Sequence, residues 1–268
     1  MNYIYQFLNS LKVYDTDLNK IRIGPNHDGG YILTEKFSKN DESLISIGIG
    51  DDISFDLAFR EINNFKKIYL YDKDSKVKIP SIKNFELIKK NVAVKTDVKN
   101  NFIGINQLLD KFNKKITLKV DIEGNEWDII DNIDIKHFNL ISQMVIEFHI
   151  IHIDVSKDFL KKKYTPYFTK FYLDNYDLIN NNLFKKYLRI MEKVNKYFYI
   201  FHAHPNNSLK EFKIGKLNIP PLLELSFINK KLVNYAKLTK KKFPIKNLDF
   251  ANKNDRDDII NFYPFTKK

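Results

Sequence analysis

Apolar positions in the first part of the chain follow two periods. Leu44-Ile45-Ser46-Ile47 is a short apolar run that stops at Gly48-Ile49-Gly50. Ile68-Tyr69-Leu70-Tyr71, a segment within Phe85–Val94, Ile116-Thr117-Leu118-Lys119-Val120 and Gln143-Met144-Val145-Ile146-Glu147-Phe148 repeat that pattern. Short apolar runs closed by turn residues predict strands. Between them, Ser54–Asn63 carries Phe55, Leu57-Ala58-Phe59 and Ile62 at helical spacing, Ile105–Phe112 does the same, and Glu126–Ile130 opens another helix. Strands alternating with helices predict right-handed βαβ units around a parallel sheet.

Beyond residue 150 the pattern loosens. Residues 151–182 are basic and rich in Tyr and Phe. Leu183–Val194 predicts an amphipathic helix, with Phe184, Leu188, Met191 and Val194 on one stripe. Tyr197–Phe201 predicts a sixth strand, broken by Pro205, and Leu222–Phe227 a seventh, after Pro220-Pro221. These two lie close together with no crossover helix between them, which predicts an antiparallel hairpin on the sheet edge. The tail from Ile228 reads as irregular.

At 268 residues the chain suits one domain, 1–268. Its expected parts are an N-terminal cap (1–41), a ligand-binding core (42–150), a substrate lid (151–196) and an edge hairpin with tail (197–268). The absence of cysteine excludes disulfides, thiolate metal sites and cysteine nucleophiles, and suits a reducing compartment. No run of 18 apolar residues is present, so no membrane span is expected. Met1–Leu11 lacks the features of a signal peptide, and a cytoplasmic location is the expectation. Nothing in the sequence sets the oligomeric state.

The net charge of +12 comes from 45 Lys and Arg against 33 Asp and Glu. Such a surplus suits nucleic acid, anionic lipid or an acidic small substrate. Here it is mostly Lys, dispersed among Asn and Ile, which reads as a solvated surface. No RNA-binding module or Arg-rich arm is visible, so nucleic acid is not the favoured partner.

In an open parallel sheet, ligands bind beyond the carboxyl ends of the strands, where the strand order reverses. Gly48-Ile49-Gly50-Asp51-Asp52 follows the first strand, Asp72 the second, Asp121 and Glu123 the fourth, Glu147 and His149 the fifth, and His202 and His204 the sixth. Gly48 and Gly50 allow a tight turn and close approach of backbone to ligand. Asp72 stands at the distance from which an acid reaches a ribose diol. A dinucleotide fingerprint needs a third glycine where Ile53 stands, and Asp51 and Asp52 would repel a pyrophosphate. No Walker motif is present. The expected ligand is therefore an adenosine compound without phosphates and with positive charge, which S-adenosylmethionine satisfies.

Five segments carry a resemblance: Arg22-Ile23-Gly24 with Asp28-Gly29-Gly30-Tyr31; Ser46-Ile47-Gly48-Ile49-Gly50-Asp51-Asp52; Leu118-Lys119-Val120-Asp121-Ile122-Glu123-Gly124-Asn125-Glu126-Trp127; Glu147-Phe148-His149; and Ile219-Pro220 to Glu224-Leu225. Together the chain resembles a class I S-adenosylmethionine-dependent methyltransferase of the FkbM-like group, over about residues 20–230. The resemblance implies a Rossmann-like methyltransferase fold, a seven-stranded mostly parallel sheet with an antiparallel final hairpin. It also implies O-methylation of a small hydroxylated acceptor, such as a sugar or surface-glycan precursor. It places Gly48 and Gly50 against the cofactor's amino-acid part, Asp72 on the ribose, Asp121 near the amino group, and Asp28, Gly29, Gly30 and Tyr31 over the cofactor. Val92 and Ala93 are the expected adenine contacts. Asp52 and Ser54 at the helix start, and Glu123, complete the cofactor set.

Methyl transfer to oxygen needs in-line positioning and a proton acceptor. His149 is the first choice for that base, with Glu147 on the same strand side to orient it; His202 and His204 come next. Lys119, Asp121 and Glu123 alternate onto one side, either to position ligand or as an internal salt bridge. Asp121, Glu147 and His149 are an alternative set for a divalent cation, although no metal is favoured. Trp127 reads as core packing. Lys161, Lys162, Lys163 and Tyr164 are expected to face an anionic acceptor or to be solvated. Competing readings are an RNA methyltransferase, a non-catalytic cofactor-binding protein, and a nucleotide-sugar oxidoreductase, the last opposed by Ile53 and the paired aspartates.

Overall fold

The structure, a computed structural model, describes residues 3–40, 43–62, 67–81, 83–150, 181–209, 211–214, 217–255 and 259. In chain order the elements are α1 (Tyr3–Ser10), β1 (Tyr14–Thr16), β2 (Lys20–Ile23), β3 (Tyr31–Thr34), α2 (Glu35–Asn40), β4 (Ser43–Ile47), α3 (Ser54–Ile62), β5 (Lys67–Tyr71), β6 (Phe85–Ile88), β7 (Asn91–Ala93) and β8 (Phe102–Gly104). There follow α4 (Ile105–Leu109), β9 (Ile116–Val120), α5 (Glu126–Asn132), α6 (Ile135–Phe138), β10 (Ile141–His149), α7 (Asn181–Tyr197), β11 (Phe198–Asn206), β12 (Phe212–Ile214), β13 (Leu217–Ile219), β14 (Leu222–Asn229) and β15 (Ala236–Leu238).

Seven strands form the main sheet in the order β11-β14-β10-β9-β4-β5-β6. β4, β5, β6, β9 and β10 pair in parallel, while β14 lies antiparallel between β10 and β11. The chain lays β5 and β6 on one side of β4, then returns to place β9 on the other, so the order reverses between β4 and β9. The expected seven-stranded sheet with its antiparallel final pair is the sheet observed. Its last strand is inserted between two earlier ones rather than added outside them.

Strand alternation divides the core in two. Ile45, Ile47, Leu118, Val120, Met144, Ile146 and Phe148 pack on one face with Phe7, Leu108, Trp127, Phe184 and Met191. Leu44, Ile68, Leu70 and Val145 pack on the other with Phe55, Phe59, Tyr31 and Leu33. Trp127 is core, as its sequence setting suggests: its ring stacks on Tyr187 at 3.9 Å between centroids, and its Nε1–H donates to the His149 carbonyl at 2.9 Å.

Three details differ from the pattern-based expectation. β11 runs through Pro205, which pairs in register with Leu223. β11 is an edge strand, where a missing N–H breaks no central ladder. Phe85–Val94 divides into β6, in the main sheet, and β7, which pairs with β8. The tail is not wholly irregular: β14 continues to Asn229, and β15 pairs with β1.

The β2–β3 hairpin lies over the second sheet face. Gln143 Oε1 accepts from the Thr34 N–H and hydroxyl at 2.8 and 2.9 Å, and the Ser226 hydroxyl donates to the Ile32 carbonyl at 2.6 Å. These bonds set the turn 24–30 above the carboxyl ends of the strands. Arg22 braces that turn from within, donating to the Pro25 and His27 carbonyls at 2.8 and 3.0 Å.

Candidate active site

A cavity of about 600 Å³ opens at the carboxyl ends of β4, β5 and β9, where the strand order reverses. The turn after β4 lines it with Gly48, Gly50, Asp51 and Asp52; α3 adds Ser54 and Asp56; the turn after β5 adds Asp72 and Asp74. Lys119, Asp121 and Glu123 come from the end of β9, and Asp28, Gly29 and Tyr31 from the hairpin above. Val92, Tyr71 and Phe102 form an apolar side. Among the described residues the wall thus holds eight carboxylates and a single basic residue, Lys119, in a chain of net charge +12.

Gly48 has φ +74°, and a Cβ there would lie 1.6 Å from the Asp121 carbonyl, so no side chain fits where β4 and β9 end side by side. A Cβ at Gly50 would meet nothing within 4 Å, leaving open space on the cavity side. Two aspartates tie the turns after β4 and β5 together. Asp72 Oδ2 accepts from the Ile49 and Gly50 N–H groups at 3.3 and 3.0 Å, and its Oδ1 from Asp74 and Ser75 at 2.9 Å each. Asp51 Oδ1 accepts from the Lys76 N–H at 2.6 Å. Asp52 Oδ1 accepts from the Ser54 N–H at 2.8 Å and so caps the start of α3.

Beneath the β9 end, the Lys119 ammonium donates to the Gly48 carbonyl at 2.7 Å and lies 3.8 Å from Asp121 Oδ2. The internal salt bridge is present, and both of its members line the cavity. The Tyr31 hydroxyl donates to Asp121 Oδ2 at 3.1 Å. Burial raises the Asp121 pKa, against the pull of Lys119 and with the push of Glu123. The Asp121 side chain keeps about a quarter of its surface exposed.

His149 is not on the cavity wall. Its Nε2 lies 3.2 Å from Glu123 Oε2, and its Nδ1 is 3.2 Å from Glu126 Oε1, at ion-pair distance but off hydrogen-bond geometry. Burial works to lower its pKa, yet Glu123 and Glu126 outweigh burial and lift it to about 10. At neutral pH this imidazole already carries its second proton and has no lone pair for a hydroxyl proton. The structure thus places His149, the first choice for the base, in an ion pair beside the cavity wall rather than on it. Glu126 is fully buried and accepts from the Ile122 and Gly124 N–H groups at 3.1 and 2.9 Å. It thereby shapes the turn in which Glu123 takes φ +57°.

Glu147, His202 and His204 lie away from the cavity in a buried polar network over β10, β14 and β11. His202 Nε2 is 2.7 Å from Asp249 Oδ1, His204 Nδ1 is 3.3 Å from Glu224 Oε2, and Asn206 Nδ2 donates to Glu147 Oε2 at 3.1 Å. Asn252 donates to Glu224 Oε1 at 2.7 Å and to Asp28 Oδ1 at 3.1 Å. Burial, with Asp121 and Glu224 nearby, holds the Glu147 pKa well above the usual carboxylate range, against the pull of Asn206 and His149. The expected orienting bond from Glu147 to His149 is replaced by the bond from Asn206.

Gly30 and Ala93, both expected at the cofactor, are not among the wall residues. Gly30 packs inward, where a Cβ would lie 2.0 Å from the Pro25 carbonyl. Ala93 faces opposite to Val92 by strand alternation. Of the set Asp121, Glu147 and His149, only Glu147 belongs to the group able to hold a metal among the described residues, which is Asp28, Glu147 and Glu224, with donor atoms within 4.8 Å of one another. Those acids are met by the amides of Asn206 and Asn252. Lys161, Lys162, Lys163 and Tyr164 lie outside the described residues. No helix among the described residues is long and apolar enough to cross a membrane.

Sequence reasoning missed Asp56, Glu126, Asp249 and Asn252. Glu126 lay in the most distinctive string, but its role there was not assigned. Asp56 carries a signal in retrospect, as an acid in a helix that buries Phe55 and Phe59.

No protein-family description matches the chain, and no curated protein does. Among solved structures, it is similar to a protein assigned as an rRNA methylase from Clostridium thermocellum (11% identity over 73% of this chain and 92% of that one, TM-score 0.36). It is also similar to one assigned as a caffeoyl-CoA O-methyltransferase from Staphylococcus aureus (9%, 72% and 78%, 0.34) and to the fibrillarin/Nop5p complex (10%, 80% and 94%, 0.35). These superpositions are loose; it is the strand order itself that makes this a Rossmann-like methyltransferase fold.

Proposed function

We propose that the chain is an S-adenosylmethionine-dependent O-methyltransferase, acting on a hydroxyl of a small acceptor such as a sugar or surface-glycan precursor. The observation that carries the reading is the charge of the cavity: eight carboxylates and one lysine at the sheet's reversal point, in a chain that is basic elsewhere. Such a wall favours a cation and repels phosphates. The acceptor class follows from the FkbM-like resemblance of the quoted segments.

The residues present fit this cofactor. Gly50 leaves space at the turn, Val92, Tyr71 and Phe102 offer an apolar side for adenine, and a buried oxygen of Asp56 awaits a donor. Bound adenosylmethionine supplies a methyl group already activated by its sulfonium. The chain must then exclude water, hold the acceptor oxygen in place and take its proton. Asp121 suits the role of proton acceptor, because it faces the cavity and burial raises its basicity. Tyr31 and Lys119 fix its orientation from two sides.

Isothermal titration of the purified protein with adenosylmethionine, NAD and ATP tests the cofactor. Binding of adenosylmethionine alone supports the reading; retention of NAD or ATP with indifference to adenosylmethionine overturns it. Asp121→Asn is expected to lower turnover by about a hundredfold, with cofactor affinity much less affected; an Asn variant of full activity would remove Asp121 as the base. The second reading, an RNA methyltransferase, draws on the +12 charge. Under it, RNA affinity measured against salt falls steeply as phosphate contacts are screened.

A further inference from the structure

Asp56 is an anomaly in the cavity wall. It sits in the first turn of α3 between Phe55 and Leu57, on a helix that buries Phe55 and Phe59 against the sheet, and it is itself only 1% exposed. Its Oδ1 has no hydrogen-bond partner. The nearby Ser46 hydroxyl on β4 favours the anion but stands off hydrogen-bond geometry. A buried carboxylate oxygen without a donor destabilises the fold unless something supplies one. Lys119, the cavity's single cation, acts on Asp56 electrostatically, but its ammonium is directed to the Gly48 carbonyl. Burial lifts the Asp56 pKa to about 6, so at neutral pH the group is still mostly an anion.

We propose that Asp56 is the anchor for the α-ammonium of the cofactor's amino-acid end, the missing donor to its buried oxygen. This rests on the adenosylmethionine reading and extends it to a residue of the cavity wall that reading had not used. A buried oxygen without a donor in the free protein and with one in the complex makes Asp56 a specificity determinant. Ligands with an ammonium at this place relieve the cost of burial, and ligands without one do not. The adjacent ammonium of Lys119 then suits the α-carboxylate of the same zwitterion.

Calorimetry with two probes tests this. Adenosylmethionine carries the amino-acid end; 5′-methylthioadenosine has the same nucleoside and lacks that end. Asp56→Asn is expected to weaken adenosylmethionine by at least roughly tenfold, while 5′-methylthioadenosine changes by less than about twofold. The ligand-free variant is expected to unfold at the same or a higher temperature, because an unpaired buried charge has been removed. Asp56→Glu, which keeps the charge, is expected to retain most of the affinity, and serves also if the Asn variant does not fold. Equal loss for both probes, no loss for either, or a lowered unfolding temperature with unchanged affinity overturns the proposal and leaves the cofactor reading standing. If the unmodified protein binds neither probe, the cofactor reading falls, and this anchor with it.

Discussion

Carboxylates crowd both halves of the sheet's carboxyl edge, and the two halves treat them differently. At β4, β5 and β9 they border open space: Asp74 and Glu123 are exposed, Asp121 is partly so, and Asp56 keeps a buried oxygen unbonded. Over β10, β14 and β11 the acids are enclosed and provided for. Glu147 takes a bond from Asn206, Glu224 from Asn252 and His204, and Asp249 from the Ile245 N–H and His202. The first half keeps one buried carboxylate oxygen, on Asp56, that no donor meets, beside acids whose bonds go to their own turns. In the second, each acid is matched by an amide, an imidazole or a backbone N–H, which rigidifies the floor beside the cavity.

This contrast is broken most readily by variants that touch one half alone. The largest effect is expected on the enclosed side. Asp249→Ala leaves the buried His202 imidazole and the Ile245 N–H without their acceptor and should cost about 1–3 kcal/mol of stability by urea unfolding; a loss under about 0.5 kcal/mol would mean that the network is not holding the tail in place. On the open side, Asp72→Ala should weaken adenosylmethionine by at least roughly tenfold. Its carboxylate accepts four backbone N–H groups that fix the glycine turn, so the loss is expected whether ribose meets Asp72 directly or the turn it shapes. Unchanged affinity in calorimetry would sink its place in the site.

A smaller effect lies at the border between the halves. His149 holds its proton in the folded chain to about pH 10, against an ordinary value of 6.5. Its folded pKa is the higher one, so its contribution to stability is complete below about pH 6.5 and is lost as pH rises through about 10. Unfolding free energies measured across that window should fall, and fall less in His149→Gln; identical slopes would show that Glu123 and Glu126 do not hold the proton there. The smallest effect belongs to the surface. Lys136→Gln removes an exposed pair with Asp110 and should leave the urea-unfolding midpoint essentially unchanged; a clear fall in the midpoint would show that the pair holds α6 in place.

Much of the fold was legible because its signals are local. Alternation in Leu44–Ile47, Ile116–Val120 and Gln143–Phe148 marked strands, and the helical spacing of Phe55 and Phe59 marked α3. The gathering of the Gly48–Gly50 turn, Asp72 and Asp121 around one cavity was legible because the ends of parallel strands lie on one edge whatever covers them. The setting of His149 was not legible, because its charge state depends on Glu123 and Glu126, which a turn with φ +57° folds back onto it. Asp249 and Asn252 were hidden in a tail without periodicity. Their partners His202 and Asp28 lie 47 and 224 residues away in sequence.

The amino-acid order by itself determined the alternation of strands and helices, the tight turn after β4 and the supply of acids at the strand ends, since each depends on backbone preference and side-chain period over a few neighbouring residues. Tertiary structure alone decided which acids look into space and which are met by a donor. A carboxylate's protonation and availability are set by its desolvation and by partners that folding draws from distant segments, so two aspartates alike in sequence become a cavity wall in one half of the edge and a structural strut in the other.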